Sequence, residues 1–328
     1  NIALNKVQGA WDEEKLAALL QELSSVPDFD VSITGFDQTE ISGLFDEYFV
    51  PDFDAEEEGP ESGGPVTTER GDMIHLGSHW LLCGDCTSSS DLKALLGDQM
   101  IDLWYSDFPY GVSYSAEQRP TKKRSKSKWK KIVNDDLDSE KYQTFLEDAV
   151  RGLCPFLTSG APVYLWNGFA KMGSLNACLE KEGIHISSLI TWVKPTPSPS
   201  FADYNWQSEY CSYGWKEGDG AHKWFGASNE SNVWEASRDS AASLIHPTQK
   251  PLELAQRAMK NSSKRGDRVF DGFAGSGSTI IAAQAMERVY FAMELEPRYC
   301  DAIVRRYVKT FGHESVSPEV YQRYCREV

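Results

Sequence analysis

The sequence predicts an α/β fold, a doubly wound sheet preceded by a small helical N-terminal segment. Three observations carry this. From Met73 onward, short apolar runs alternate with stretches whose apolar residues recur at helical spacing. A strand, glycine loop, helix and second strand stand in sequence at 268–294, "RVFDGFAGSGSTIIAAQAMERVYFAME". At 328 residues, 41% hydrophobic and 12% aromatic, the chain is large enough to bury both faces of such a sheet.

In "NIALNKVQGAWDEEKLAALLQEL", Asp12 caps a helix whose apolar positions are Leu16, Leu19, Leu20 and Leu23. In "ITGFDQTEISGLFDEYF", Asp37 or Thr39 caps another. "VPDFDAEEEGPESGGPVTTERGD" has acids, Pro, Gly and Ser without periodicity, as a linker does. "HWLLCGD" and "MIDLWYSD" are expected as strands ending in acids, and "APVYLW" and "ISSLITWVK" as further strands. "SEKYQTFLEDAVRGLCPFL" reads as a helix resting on Phe145, Ala149, Val150, Leu153 and Cys154. Residues 196–245, rich in Trp, Tyr, Ser and Gly, suggest an irregular exposed insertion. Order returns in "HPTQKPLELAQRAMKNSS", with Pro251 at the first helical position. The expected division is 1–56 helical segment, 57–71 acidic linker and 72–328 main domain, the last carrying a basic loop at 115–134 and the insertion at 196–245.

The net charge of -16 argues against a nucleic-acid partner until it is located. Residues 1–72 hold eighteen acids against three bases, so nearly all the excess lies outside the sheet. Within the remainder, "RPTKKRSKSKWKK" at 119–131 has eight bases, no acid and an embedded Trp129. Lys122, Lys123, Arg124, Lys126, Lys128, Lys130 and Lys131 are its candidate phosphate contacts. Seven scattered cysteines suggest reduced thiols rather than a disulfide framework. Cys83 and Cys86, with His75 and His79 upstream, lack the second pair of a closed tetrahedral site; two half-buried thiols around a turn are expected, and no metal. The apolar runs are too short to span a bilayer and no basic-then-apolar leader opens the sequence, so a cytoplasmic protein without membrane partners is expected.

The chemistry is concentrated in three places. After a strand ending at Asp271, Gly272, Gly275 and Gly277 let the backbone approach a ligand, and Glu294 ends the next strand, placed to accept from both hydroxyls of a ribose. The ligand is expected to be a nucleoside. "YSDFPYGVSY" at 105–114 puts Asp107 and Tyr110 at the lip of another strand, and "HPTQKP" occupies 246–251.

Together these motifs resemble the S-adenosylmethionine-dependent amino-methyltransferases of DNA, of the β-type order in which the catalytic motif precedes the cofactor motif. The resemblance runs from about Met73 to Phe311 and implies a Rossmann-like methyltransferase sheet. It makes Asp107, Phe108, Pro109 and Tyr110 the DPPY-type catalytic loop, and Phe273, Gly275 and Gly277 the FxGxG cofactor loop, with Asp271 just ahead. Glu294 becomes the ribose acid, and Asp85, after Gly84, the strand-end acid near the adenine. Thr248, Gln249 and Lys250 fall beside the methionine end of the cofactor, where a lysine ammonium can pair with its carboxylate. Asp85 and Asp271 also suit plain turn caps, and His246 a structural role. "ALNKVQGAWDEEKLAALLQEL" and "ITGFD" resemble the last part of a ParB-like domain, an arrangement found in phage-type proteins; chemistry of the earlier part of that domain is not carried over.

The implied activity is methyl transfer to adenine N6 in double-stranded DNA through a flipped base, as in restriction–modification. N4-cytosine transfer uses the same geometry, although that group more often has Ser at the acid position, and a silent DNA-binding module is the rival from another class. Two departures stand out: Phe108 replaces the first proline of the catalytic loop, and Gly272 the proline ahead of Phe273. Both are expected to loosen the backbone. The oligomeric state is left open, a homodimer among the options.

Overall fold

The computed structural model describes residues 12–24, 31–37, 40–41, 43–44, 66–110, 138–198, 203–236 and 250–325. The basic loop, His246, Thr248, Gln249 and Thr39 lie outside the described residues.

The N-terminal piece contains α1 (Glu13–Ser24), opened by Asp12, whose carboxylate accepts the Lys15 N–H at 3.3 Å. Asp37 and Glu40 cap the next helical residues reciprocally, each carboxylate accepting the other's backbone N–H at 2.8–2.9 Å. Leu16, Leu20, Phe36 and Ile41 close a core of their own, while Leu19, expected inside, is 38% exposed.

The main domain follows as β1 (Met73–Leu76), β2 (His79–Cys83), α2 (Ser89–Leu96), β3 (Leu103–Asp107), α3 (Ser139–Leu153), β4 (Pro162–Asn167) and α4 (Met172–Lys181). Then come β5 (Ile184–Ser198), β6 (Trp206–Lys216), β7 (Val233–Glu235), α5 (Leu252–Ser262), β8 (Arg268–Asp271), α6 (Ser278–Ala285), β9 (Val289–Glu294), α7 (Pro297–Phe311) and α8 (Pro318–Tyr324). The strands form one sheet in the order β1-β2-β9-β8-β3-β4-β6-β5-β7. The run from β2 through β9, β8 and β3 to β4 is parallel; β6 lies antiparallel between β4 and β5.

Period-two alternation builds the layers. Leu103, Tyr105, Val269, Tyr290 and Ala292 enter the core shared with α5, α6 and α7, whereas Trp104, Phe270, Phe291 and Met293 enter the core shared with α2, α3 and α4. The fold is therefore doubly wound, as expected, and the residues expected to seat α3 are all buried.

Three readings need correction. The stretch 206–216 is not an irregular insertion but β6, an inner strand paired on both sides. Its Ser, Tyr and Gly residues resemble turn signals, yet Cys211 and Tyr213 point into one core and Gly214 lets the β5 backbone pass close. The end of the expected linker is anchored rather than free: Thr67 N–H, Thr68 N–H and the Thr68 hydroxyl all donate to the Asp301 carboxylate on α7, at 2.6–3.0 Å. Pro251 sits one place earlier than expected, as the cap of α5.

Cys83 and Cys86 are fully rather than half buried, and all seven cysteines are free thiols. His79, buried and pushed down to about 4 by desolvation, accepts the Tyr290 N–H at Nδ1 and lies 2.7 Å from the Gln284 carbonyl at Nε2, so both ring nitrogens serve the fold. Among the described residues, no helix is long and apolar enough to cross a membrane.

Nor do the two proline replacements simply loosen the backbone. Phe108 is 1% exposed, with its ring centroid 4.6 Å from that of Phe273, 6.0 Å from Trp104 and 6.3 Å from Phe145. Its N–H donates to the Trp166 carbonyl at 3.1 Å, extending the β3–β4 ladder. The Gly272 N–H donates to Ser106 Oγ at 3.0 Å, tying the end of β8 to β3. Proline can make neither bond.

Substitutions at three sites test this packing, each by urea unfolding. Restoring proline, Phe108→Pro, should cost roughly 3–5 kcal/mol for the lost ring plus about 1 kcal/mol for the lost bond, whereas Phe108→Ala should forfeit the ring alone. A Cβ at Gly214 would meet the His185 carbonyl oxygen at 2.0 Å, so Gly214→Ala should cost at least about 1–3 kcal/mol. Gly173→Ala in α4, with nothing within 4 Å, should stabilise by roughly 0.5–1 kcal/mol.

Candidate active site

Four adjacent parallel strands end beside acids on one edge of the sheet. Asp85 stands just past β2, Glu294 ends β9, Asp271 ends β8 and Asp107 ends β3. From β3 the chain crosses through α3 to β4 on one side; from β8 it crosses through α6 to β9 on the other. The crevice between β3 and β8 is thus the topological switch point, where doubly wound sheets hold ligands. At roughly 4.8 Å per strand, Asp107 and Glu294 are about 10 Å apart along this edge.

Glycine shapes the loop after β8. Gly275 and Gly277 adopt φ of 54° and 78°, and Gly277 caps α6. A Cβ on Gly277 would press on Ile303 at 3.0 Å; beside Gly275 the nearest atom would be the Phe273 oxygen at 3.8 Å, leaving the backbone open to a ligand. Glu294 accepts the Gly275 N–H at 2.8 Å and the Glu296 N–H at 2.9 Å. Burial pushes its carboxyl up to about 7, against those two bonds and with Asp271 adding repulsion. Asp271, raised by burial, accepts the Phe273 N–H and the Tyr290 hydroxyl, each at 3.0 Å. Asp85 accepts the Thr87 N–H and hydroxyl. Both strand-end aspartates do cap turns, and they do so on the ligand edge.

The loop after β3 is organised by a buried cation. Lys250 Nζ lies 2.6 Å from Asp107 Oδ2, 2.8 Å from the Tyr110 hydroxyl and 3.2 Å from Glu209 Oε2. An ammonium has three donors, and here all three have partners. The expected pairing of Lys250 with a cofactor carboxylate would displace one of them. The Tyr110 hydroxyl donates to Glu209 Oε2 at 2.9 Å, and Lys194 Nζ holds Glu209 Oε1 at 2.6 Å. Burial alone would raise Glu209, but the Lys250 and Lys194 ammoniums hold it down to about 2. Asp107 goes the other way, to about 6, because burial outweighs the pull of Lys250 and Glu209 adds repulsion. Asp107 Oδ1 is enclosed with no hydrogen-bond partner among the described residues.

Three further residues shape the loop. The Tyr142 hydroxyl lies 2.7 Å from the Pro109 carbonyl and 3.1 Å from Asn167 Oδ1, which also accepts the Gly168 N–H. Gly168 lies under the Tyr110 ring, where a Cβ would come within 3.4 Å. Of the aromatics in the stretch expected to be an exposed insertion, Trp215 and Trp224 pack on the core. Trp206 is 44% exposed, and both Trp206 and Tyr210 lie about 6 Å from the exposed Phe169 ring. Glu209, Lys194, Tyr142 and Asn167 escaped the sequence reading; the signal for Glu209 was a lone acid inside an alternating aromatic run.

A family model described as DNA methylase matches residues 101–305, and one described as ParB-methyltransferase HTH domain matches 14–69. The Type II methyltransferase M2.MboI of Moraxella bovis is 25% identical over 68% of this chain and 85% of its own. Among solved structures, the cytosine-N4-specific PvuII DNA methyltransferase aligns with a TM-score of 0.58 at 15% identity, over 78% of this chain and 95% of that one. A putative DNA modification methylase of Thermus thermophilus, complexed with S-adenosyl-L-methionine, aligns with a TM-score of 0.51 at 22% identity, over 72% and 95%. These structural likenesses bear on the fold. Since its family model spans more than half of the sequence, and its motifs lie together on the ligand edge of a doubly wound sheet, this chain belongs to the DNA methylases.

Proposed function

We propose that the protein transfers a methyl group from S-adenosylmethionine to the N6 of adenine in double-stranded DNA, on a base flipped out of the duplex. The observation that carries this is the meeting, at one switch point, of an acid with an unpartnered oxygen and a glycine loop closed by a second acid. The residues fit the cofactor: the backbone is open at Gly275, Glu294 ends the strand where a ribose is gripped, and an acid-lined edge favours a cation. When bound, the cofactor supplies an electrophilic methyl group on a sulfonium.

The protein's part is positioning and electrostatics. Asp107 Oδ1 and the Phe108 carbonyl accept the two amino hydrogens from outside the ring plane, which frees the nitrogen lone pair. Lys250, bound to Oδ2, keeps the carboxylate oriented and ionised. The Tyr110 ring offers a stacking face worth roughly 1–3 kcal/mol, against the few kcal/mol needed to extrude a base. On this reading Lys250 serves the catalytic loop. Thr248, two residues earlier in sequence, serves the cofactor together with Asp85, Asp271, Phe273, Gly275, Gly277 and Glu294. Asp107 favours adenine over the cytosine N4 alternative.

The chain divides on this reading into the N-terminal ParB-like segment, an acidic linker ending before the anchored Thr67, and the methyltransferase domain. It works in the cytoplasm, with DNA gripped by the basic residues of 119–131; sedimentation of the DNA complex distinguishes a monomer from a homodimer.

Mass spectrometry of nucleosides from treated DNA should give N6-methyladenine; N4-methylcytosine instead would overturn the choice of base. Asp107→Ala should abolish transfer and leave cofactor affinity intact. Because Lys250 holds Oδ2, a proton on Asp107 would sit on Oδ1 and block it as an acceptor, so the rate should rise with pH through about 6. Neutralising Lys122, Lys123, Arg124, Lys126, Lys128, Lys130 and Lys131 should flatten the salt dependence of DNA binding by about 0.9 in log–log slope per lost phosphate contact.

A further inference from the structure

Glu209 has no role in the transfer as derived above, yet it is the second acid of the buried charge network. It lies on β6, and its side chain is 14% exposed. One oxygen holds Lys194; the other faces both the Lys250 ammonium at 3.2 Å and the Tyr110 hydroxyl at 2.9 Å. Lys194 and Lys250 are each 7% exposed, so the row Lys194, Glu209, Lys250, Asp107 alternates in sign within the protein and sums to zero. A buried ammonium left with one carboxylate would close onto it fully. With Glu209 on its far side, Lys250 is held between two acids, and the same Glu209 oxygen fixes the hydroxyl of the stacking ring.

Resting on the reading of Asp107 as the acceptor of the amino group, we propose that Glu209 is a positioning residue: it sets where the Lys250 ammonium stands, and through it the attitude of Asp107 and Tyr110 together. The charged and titratable groups around Asp107 are Lys250, Glu209, Tyr110, Tyr105, Cys211 and Asp271. Of these, Glu209 and Asp271 oppose its ionisation and Lys250 favours it. Removing the Glu209 charge therefore makes Asp107 easier to ionise and its carboxylate a weaker acceptor.

The test compares the full chain with Glu209→Gln and with the charge-balanced Lys194→Met/Glu209→Gln, which guards against unfolding from two ammoniums sharing one amide. In both, kcat on DNA should fall roughly 10- to 100-fold while the dissociation constant for S-adenosylmethionine stays within about twofold. The acid limb of the rate profile should move to lower pH. So should the 13C-aspartate carboxyl signal of Asp107, assigned by its disappearance in Asp107→Asn. Wild-type kcat in either folded variant, or a rate loss matched by lost folded protein with an unmoved Asp107 titration, overturns the proposal. If the wild-type chain methylates no DNA, the functional reading fails by itself. The carboxyl titration still decides the positioning claim: a shift to lower pH supports it and an unmoved signal overturns it.

Discussion

A buried ammonium is tolerable only when each of its donors meets an acceptor, and at Lys250 that requirement organises the whole loop after β3. The three acceptors come from separate places in the chain. Asp107 ends a parallel strand, Tyr110 lies in the loop beyond it, and Glu209 stands on an antiparallel strand two places along the sheet. Lys250 precedes α5, which packs on the face to which Tyr105, Trp166 and Cys211 also point. The order β3-β4-β6 sets the distance between the two acids, and one lysine reaching up from α5 closes it. Displacing any one of the three acceptors would leave the enclosed ammonium a hydrogen-bond partner short.

The same economy of polar groups explains the departures from the family's prolines. Proline stiffens a loop by fixing φ but brings no N–H. Here the stiffness comes from elsewhere: Phe108 fills a space bounded by Trp104, Phe145 and Phe273, and two backbone donors tie the catalytic and cofactor loops to neighbouring strands. The ring contact of Phe108 with Phe273 joins the two loops directly. The catalytic acid and the glycine turn are thereby parts of one packed unit, which a pair of prolines would not by itself produce.

What the sequence made legible was local. Acids at strand ends, the glycine turn after β8 and Asp37 as a helix cap are short-range patterns, and each is found where its spacing placed it. The strands with period-two alternation and the helix at 139–153 were legible for the same reason. The charge network was not. Glu209 meets Lys250 only because β6 inserts between β4 and β5, a pairing that depends on contacts across the sheet rather than on neighbours in the chain. A strand written in Ser, Tyr, Gly and Trp, with an acid in its middle, has the composition of a loop. Its inner position could be read only from the buried faces of Cys211 and Tyr213, which need the sheet to exist first. The partners of Lys250 were not legible, for the same reason.

The edge of the sheet finally shows a division of charge. On the Asp107 side, each acid is matched by an ammonium, and Glu209 is held far below the ordinary carboxylate range. On the other side, Asp271 and Glu294 take hydrogen bonds from backbone N–H groups and a tyrosine, and burial leaves both raised, with repulsion from Asp271 adding to it at Glu294. Acids already paired with an ammonium do not attract a further cation strongly, whereas buried acids without one do, because a positive ligand offsets the burial that holds their protons on. Binding of a cation at the Glu294 end should therefore be tighter above about pH 7, where that carboxyl is ionised, while the charge-balanced Asp107 end stays nearly indifferent to it. The two ends of the cleft thus use the same residue type and differ in what stands behind it, an ammonium at one and backbone N–H groups at the other.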